Sequence, residues 1–182
     1  MLNSLIGIIA SSGGAGVATS YESIATVSVG SGGSASAEFT SIPSTYQHLE
    51  IRWIAKAGSG TRLRLQINSD TATNYSTHLL IGDGSGVAAI GAANEAKIAI
   101  SAATSGTSGV FCAGVVSVLD YKDTNKYKTV RTLSGIDNNG SGEVALNSGA
   151  WRSTSAVTSL KFYWDSGNLD QYSSFALYGI KG

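Results

Sequence analysis

Cysteine, proline and methionine each occur once in the 182 residues, and histidine occurs twice. A lone cysteine, Cys112, excludes an intrachain disulfide framework and a multi-cysteine zinc site. His48 and His78 leave little material for a histidine metal centre or for the imidazole of a nucleophilic triad. Charge is also scarce, at 13% of residues, with twelve basic side chains against twelve acidic ones. A neutral chain has no general electrostatic pull toward nucleic acid or an anionic membrane, so neither is expected as a partner. No run reaches the ~20 apolar residues a membrane span needs. The apolar opening, residues 1–10, lacks the basic start of a secretory signal, because the first positive side chain is Arg52. It leaves three readings: a weak signal peptide, a first strand of the domain, or a hydrophobic tether that inserts into a partner.

What the chain has instead is glycine (23) and serine (28), together 51 of 182 residues or 28%. Such a share suits a disordered linker. The 42% hydrophobic content and fifteen aromatics argue for a packed core. The small residues also cluster between segments that alternate apolar and polar, as in a β-protein with many turns. Ser11 to Ser20 carries no charge and reads as a flexible connector. The organisation expected is therefore an apolar arm and connector over 1–20, followed by one β-domain over 21–182.

Within that domain the alternation is clearest at Leu49, Ile51, Trp53 and Ala55, and again at Leu63, Leu65 and Ile67. A two-residue period places one set in a core and the other in water. Leu160, Phe162 and Trp164 repeat it, as do Phe175 and Leu177 near the end. Gly30 to Gly33 suggests a hairpin between the runs at 25–29 and 35–39. Gly58-Ser59-Gly60 reads as a turn. Val110 to Leu119 is almost continuously apolar and predicts a central strand covered on both faces. Val144 and Leu146 mark a short strand, and one short helix is compatible with Ala92 to Ile100. About ten strands without a fixed repeat predict an antiparallel β-sandwich of jelly-roll type.

Catalytic motifs are missing. There is no Gly-x-Ser-x-Gly elbow. Gly82-Asp83-Gly84-Ser85-Gly86 lacks the lysine of a phosphate loop and reads as a turn. Asp137-Asn138-Asn139-Gly140-Ser141-Gly142-Glu143 resembles the start of a calcium loop, but Ser148 stands where the closing glutamate belongs. A hairpin turn accounts for the same residues. A polysaccharide hydrolase would need paired carboxylates, and twelve dispersed acids offer no concentrated pair. No cofactor or metal is expected. Tyr46, Tyr75, Tyr121, Trp151 and Tyr172 fall in expected loops, where they could stack on glycan rings, anchor a partner, or fold back on the sandwich edge.

Several stretches carry a family likeness: Ser41-Ile42-Pro43-Ser44-Thr45-Tyr46-Gln47-His48-Leu49-Glu50-Ile51-Arg52, Ile67-Asn68-Ser69-Asp70 with Asn74-Tyr75-Ser76, and Leu119-Asp120-Tyr121. Asn125 to Arg131, Trp151-Arg152-Ser153-Thr154 and Phe175 to Gly182 continue it. From about residue 38 onward the chain resembles virion structural proteins of tailed bacteriophages, of tail-fibre or head-decoration type. The resemblance implies a non-enzymatic virion protein and a homo-oligomer, by analogy a trimer. Leu2, Leu5, Ile6, Ile8 and Ile9 would then anchor the arm in another virion protein. The competing expectation is a host receptor- or glycan-binding module of a tail fibre, carried by the loop aromatics.

Overall fold

In a computed structural model, which describes residues 20–57, 62–103 and 107–182, the alternating segments become twelve strands and no helix. They are β1 (Tyr21–Ser28), β2 (Ala37–Phe39), β3 (His48–Ala55) and β4 (Arg62–Ile67). β5 (Tyr75–Gly82), β6 (Val87–Glu95), β7 (Ile98–Ala103) and β8 (Cys112–Leu119) follow. β9 (Lys128–Asp137), β10 (Gly142–Trp151), β11 (Leu160–Trp164) and β12 (Ser174–Ile180) complete the set. The arm residues Leu2, Leu5, Ile6, Ile8 and Ile9, and the turn expected at 58–60, lie outside the described residues.

All pairings are antiparallel. One sheet holds eight strands in the order β1-β12-β3-β8-β9-β10-β5-β6, and the other holds β2-β11-β4-β7. The two sheets form a β-sandwich, as the alternation predicts. Jelly-roll connectivity is not confirmed, since the sheets contain eight and four strands rather than two sets of four.

Period-two segments work here where a strand is wetted on one side only, as β3, β4, β5 and β11 are, whereas the edge strand β6 is open on both sides. On β3 the buried residues are Leu49, Ile51, Trp53 and Ala55, and on β4 they are Leu63, Leu65 and Ile67. Phe162 of the small sheet stacks on Phe175 of the large one, with ring centroids 5.2 Å apart. Phe39 meets Phe162 edge-on at 6.2 Å, and Trp53 stacks on Phe175 at 6.5 Å. This aromatic chain bridges the layers, and each such pair adds about 0.5–1.5 kcal/mol beyond its buried area.

Four expectations change. The Gly30–Gly33 segment is not a hairpin: β1 pairs with β12 and β2 with β11, so the segment carries the chain from one sheet to the other. Residues 92–100 form no helix but the end of β6 and the start of β7, because Ala and Ile there pair with β5 and β4. β8 is covered on one face only: Cys112, Val116 and Val118 point inward, while Ala113 and Val115 point outward. β10 runs for ten residues, and Val144 and Leu146 lie on its outer side. Its inner side carries Ala145, Asn147 and Trp151.

Candidate interaction surface

The two outer faces of the sandwich differ sharply. The small sheet presents charge. Glu38 pairs with Lys161 at 3.1 Å, and Asp165 holds both Arg64 and Lys97, the latter at 2.6 Å. The large sheet presents aliphatic side chains. Ile54, Val115, Leu133, Leu146, Val144, Leu80 and Val87 are each between 36% and 76% exposed on it.

Register makes these one patch. Val115 pairs with Leu133, Leu133 with Leu146, and Leu146 with Leu80. The neighbouring row runs Ile54, Ala113, Gly135, Val144, Gly82 and Val87. From their fractional exposures, the seven large side chains leave roughly 700 Å² of surface open, above the ~300–600 Å² of a typical monomer's largest apolar patch. Surface of that extent marks a place where something binds. Shallow depressions run along it, one between Leu80, Ile90 and Leu146, another between Arg52, Val115, Leu133 and Val144.

Polar groups border the patch. At the β1 side, Tyr21 stacks on Tyr178 with centroids 4.9 Å apart, and the Arg52 guanidinium lies 5.3 and 5.6 Å from the two rings. Glu50 accepts a 3.0 Å bond from Arg52 Nε and another from the Tyr21 hydroxyl. Burial, and then the Glu50 carboxylate, push the Tyr21 phenol up to about 12. Along the strands, Arg131 lies one row beyond Leu133. Asp137, the last residue of β9, and Asp83, in the turn after β5, lie at the opposite end. Asp83 Oδ1 accepts the amides of Ser85 and Gly86, both at 2.8 Å, which makes residues 82–86 a self-capped turn. Residues 137–143 are the β9–β10 hairpin, closed by the Asn138 amide on the Ser141 carbonyl at 2.6 Å.

The five aromatics picked out as glycan or partner contacts do not share a surface. Tyr75, Tyr121 and Trp151 are buried and serve as internal posts. Tyr75 exchanges two 3.1 Å bonds with the Ile67 backbone through its hydroxyl. The Tyr121 hydroxyl donates to the Pro43 carbonyl. Trp151 Nε1 donates to Asp70 Oδ2 at 2.7 Å. Each ring brings a polar handle that needs a partner once buried, and each finds one inside the fold. Tyr46 is half-buried, with its hydroxyl donating to Glu22 at 3.0 Å. Only Tyr172, 74% exposed, offers a ring to solvent. The apolar patch itself was hidden from sequence reading. The only signal for it was that β8 and β10 carry aliphatics on both parities.

Cys112 is buried, and burial pushes its thiol up to about 12, so it is no nucleophile at neutral pH. The His48 Nδ1 accepts the Asp120 amide at 2.9 Å, which ties the ring to the fold. Among the described residues, no three His, Cys, Asp or Glu side chains converge to hold a metal. Among the described residues there is no helix, and so none long and apolar enough to cross a membrane.

Asp70 shows how the former site candidates work as structure. It accepts Asn74 Nδ2 at 3.0 Å, Trp151 Nε1 at 2.7 Å and the Ala72 amide at 2.9 Å. The Asn74 and Trp151 donors hold its carboxyl below the usual range. A depressed folded-state pKa contributes stability above the unfolded value of about 3.9, and that contribution vanishes as pH falls through the folded pKa. Asp70→Asn is expected to lower stability by about 1–2 kcal/mol at pH 7 and to flatten its decline below pH 4. Urea unfolding of both proteins at pH 7 and pH 3 checks this. An equal gap at both pH values would refute it.

No family model, no curated protein and no solved structure matches the chain.

Proposed function

We propose that this is a non-enzymatic structural protein of a tailed-phage particle, a head-decoration or tail-appendage component that attaches to other virion proteins. The observation that carries the reading furthest is the apolar outer face of the eight-stranded sheet, which is too extensive to be left to water. A protein that works by packing against neighbours needs such a face, a rigid sandwich behind it and little net charge, so that densely packed copies do not repel. The phrase-level likeness to virion proteins supports the same reading. In it, the N-terminal residues Leu2, Leu5, Ile6, Ile8 and Ile9 add a second attachment device. The protein acts as a homo-oligomer, for which the likeness suggests a trimer.

The experiment is the copy number of this protein in purified particles, measured by quantitative mass spectrometry against the major shell protein. About one copy per shell subunit, or one per few, assigns head decoration. A handful of copies per particle assigns a tail appendage. Absence from particles overturns the reading. The alternative, a host glycan-binding module, has only Tyr172 left among the five aromatics as an open stacking platform. A glycan array on which the Tyr172→Ala variant loses a signal seen with the native chain would favour it instead.

A further inference from the structure

We infer that the outer face of the eight-stranded sheet is the contact between two antiparallel copies of this chain, related by a two-fold axis that crosses β9 between Leu133 and Gly135. This departs from the virion reading on two points, since a second copy rather than another virion protein covers the face and the oligomer is a dimer rather than the trimer the likeness suggests; particle copy number tests that reading, and oligomeric state tests this one.

The first argument is shape. Two adjacent rows of the face alternate in size, strand by strand. On β9, Leu133 is followed by Gly135, and on β5, Leu80 is followed by Gly82. On β8, Val115 is preceded by Ala113. Register places Val115, Leu133 and Leu80 in one row, and Ala113, Gly135 and Gly82 in the next. Turning a second copy end over end about the stated axis lays Val115 over Ala113, Leu133 over Gly135 and Leu80 over Gly82 of the other copy, while on β3 Ile54 comes over Arg52. On β10, Leu146 meets Val144. Two twisted sheets face each other at about 30°, so this match is tightest near the axis, on β9 and its neighbours. A two-fold along the strands would instead set Leu133 on Leu146, large on large.

The second argument is that the fold does not ask for those glycines. A methyl group placed on Gly82 would meet nothing within 4 Å, and one on Gly135 only ordinary contacts at 3.4–4.0 Å. Neither residue has a positive φ. Gly135 lies within β9, where glycine costs stability, and Gly82 is the last residue of β5. The two leave hollows beside large aliphatics, and a facing leucine fits them.

The third argument is charge. Arg131, exposed, has no described acidic partner of its own. The same rotation brings it over Asp137, whose described contact is only the Gly140 amide at 3.2 Å. The pair forms twice by symmetry. A three-fold interface is heterologous and would not form this pair reciprocally. The open apolar area of roughly 700 Å², with its polar border added, reaches the ~800 Å² per partner of a stable interface.

The test is analytical ultracentrifugation of the full chain and its variants at several concentrations. The native protein is expected at twice its 18.6 kDa chain mass. Gly135→Val fills the hollow with a residue that suits a strand, and should leave a monomer that, at concentrations low enough for the native chain also to be monomeric, unfolds no earlier than it does. Arg131→Asp and Asp137→Arg should each weaken association at least about tenfold, and the double reversal should return to within about threefold of native. A monomeric native chain overturns the pairing and leaves the face to residues 1–19 or to another protein. A trimer, or a dimer indifferent to Gly135→Val and to the charge reversals, overturns it as well.

Discussion

Lys128→Met is expected to destabilise the protein by about 4 kcal/mol, measured by urea unfolding near neutral pH. Lys128 opens β9 and has no exposed surface at all. Its ammonium is caged by three main-chain carbonyls: Asp123 at 2.5 Å, Lys126 at 3.0 Å and Thr154 at 3.2 Å. Lysine is rarely buried without compensation, and here all three of its donors are used. Methionine keeps the stem but offers no donor, so three part-buried carbonyls lose their partner, each at up to roughly 1–3 kcal/mol. The loss of the ammonium's own desolvation cost returns part of this. The neighbouring Lys126 is the control. It is exposed and pairs with Asp120 and Asp123, and its methionine variant should unfold at nearly the native urea concentration. If Lys128→Met costs no more than Lys126→Met, water fills the cage and the carbonyls do not need the lysine.

Gly179→Ala is expected to cost about 3 kcal/mol, for a reason unrelated to backbone freedom. Gly179 sits in β12 between Glu22 of β1 and Leu49 of β3, with an ordinary φ. A methyl group there would lie 2.2–2.5 Å from three ring atoms of Tyr46. The ring must leave, giving up its packing and its bond to Glu22. In a Tyr46→Ala background the same change should cost under about 1 kcal/mol, since the obstacle is gone. Additive losses in thermal unfolding would show that the strain lies elsewhere. The result also decides what Tyr46 is for, because a ring seated on a glycine of a central strand holds the 40–47 loop against the sheet and is not free to stack on a ligand.

Sequence reading succeeded where water and core sit on opposite sides of a strand. β4 and β11 have polar or aromatic residues on one parity and apolar residues on the other, as does β3 apart from Ile54, and their inward faces follow directly. It failed where that contrast is absent. On β10 the more apolar parity, Val144 and Leu146, faces out, and the inward parity contains Asn147, whose amide donates to the Ala99 carbonyl at 3.0 Å. Alternation gives a period but no sign when both sets are apolar. Strand partners were equally out of reach. The glycines at 30–33 signal a change of direction, and nothing local records that β1 pairs with a segment some 150 residues away. The aromatics misled because their neighbours did: Tyr75 follows Asn74 and precedes Ser76, a loop-like setting, yet it is the first inward residue of β5.

That β12 lies between β1 and β3 has a consequence for how the chain matures. During synthesis, β3 can pair with β8 while its other edge stays bare, and β1 has nothing to join until residues 174–180 leave the ribosome. Two strands made early thus wait for one made late. Closing so long a loop is slow. During that interval the open edges of β1 and β3 can capture the same strand from another nascent chain as readily as their own. Slow translation of clustered copies therefore favours exchanged strands, and production in a cell rewards dilution and chaperone cover more than it rewards a stabler core.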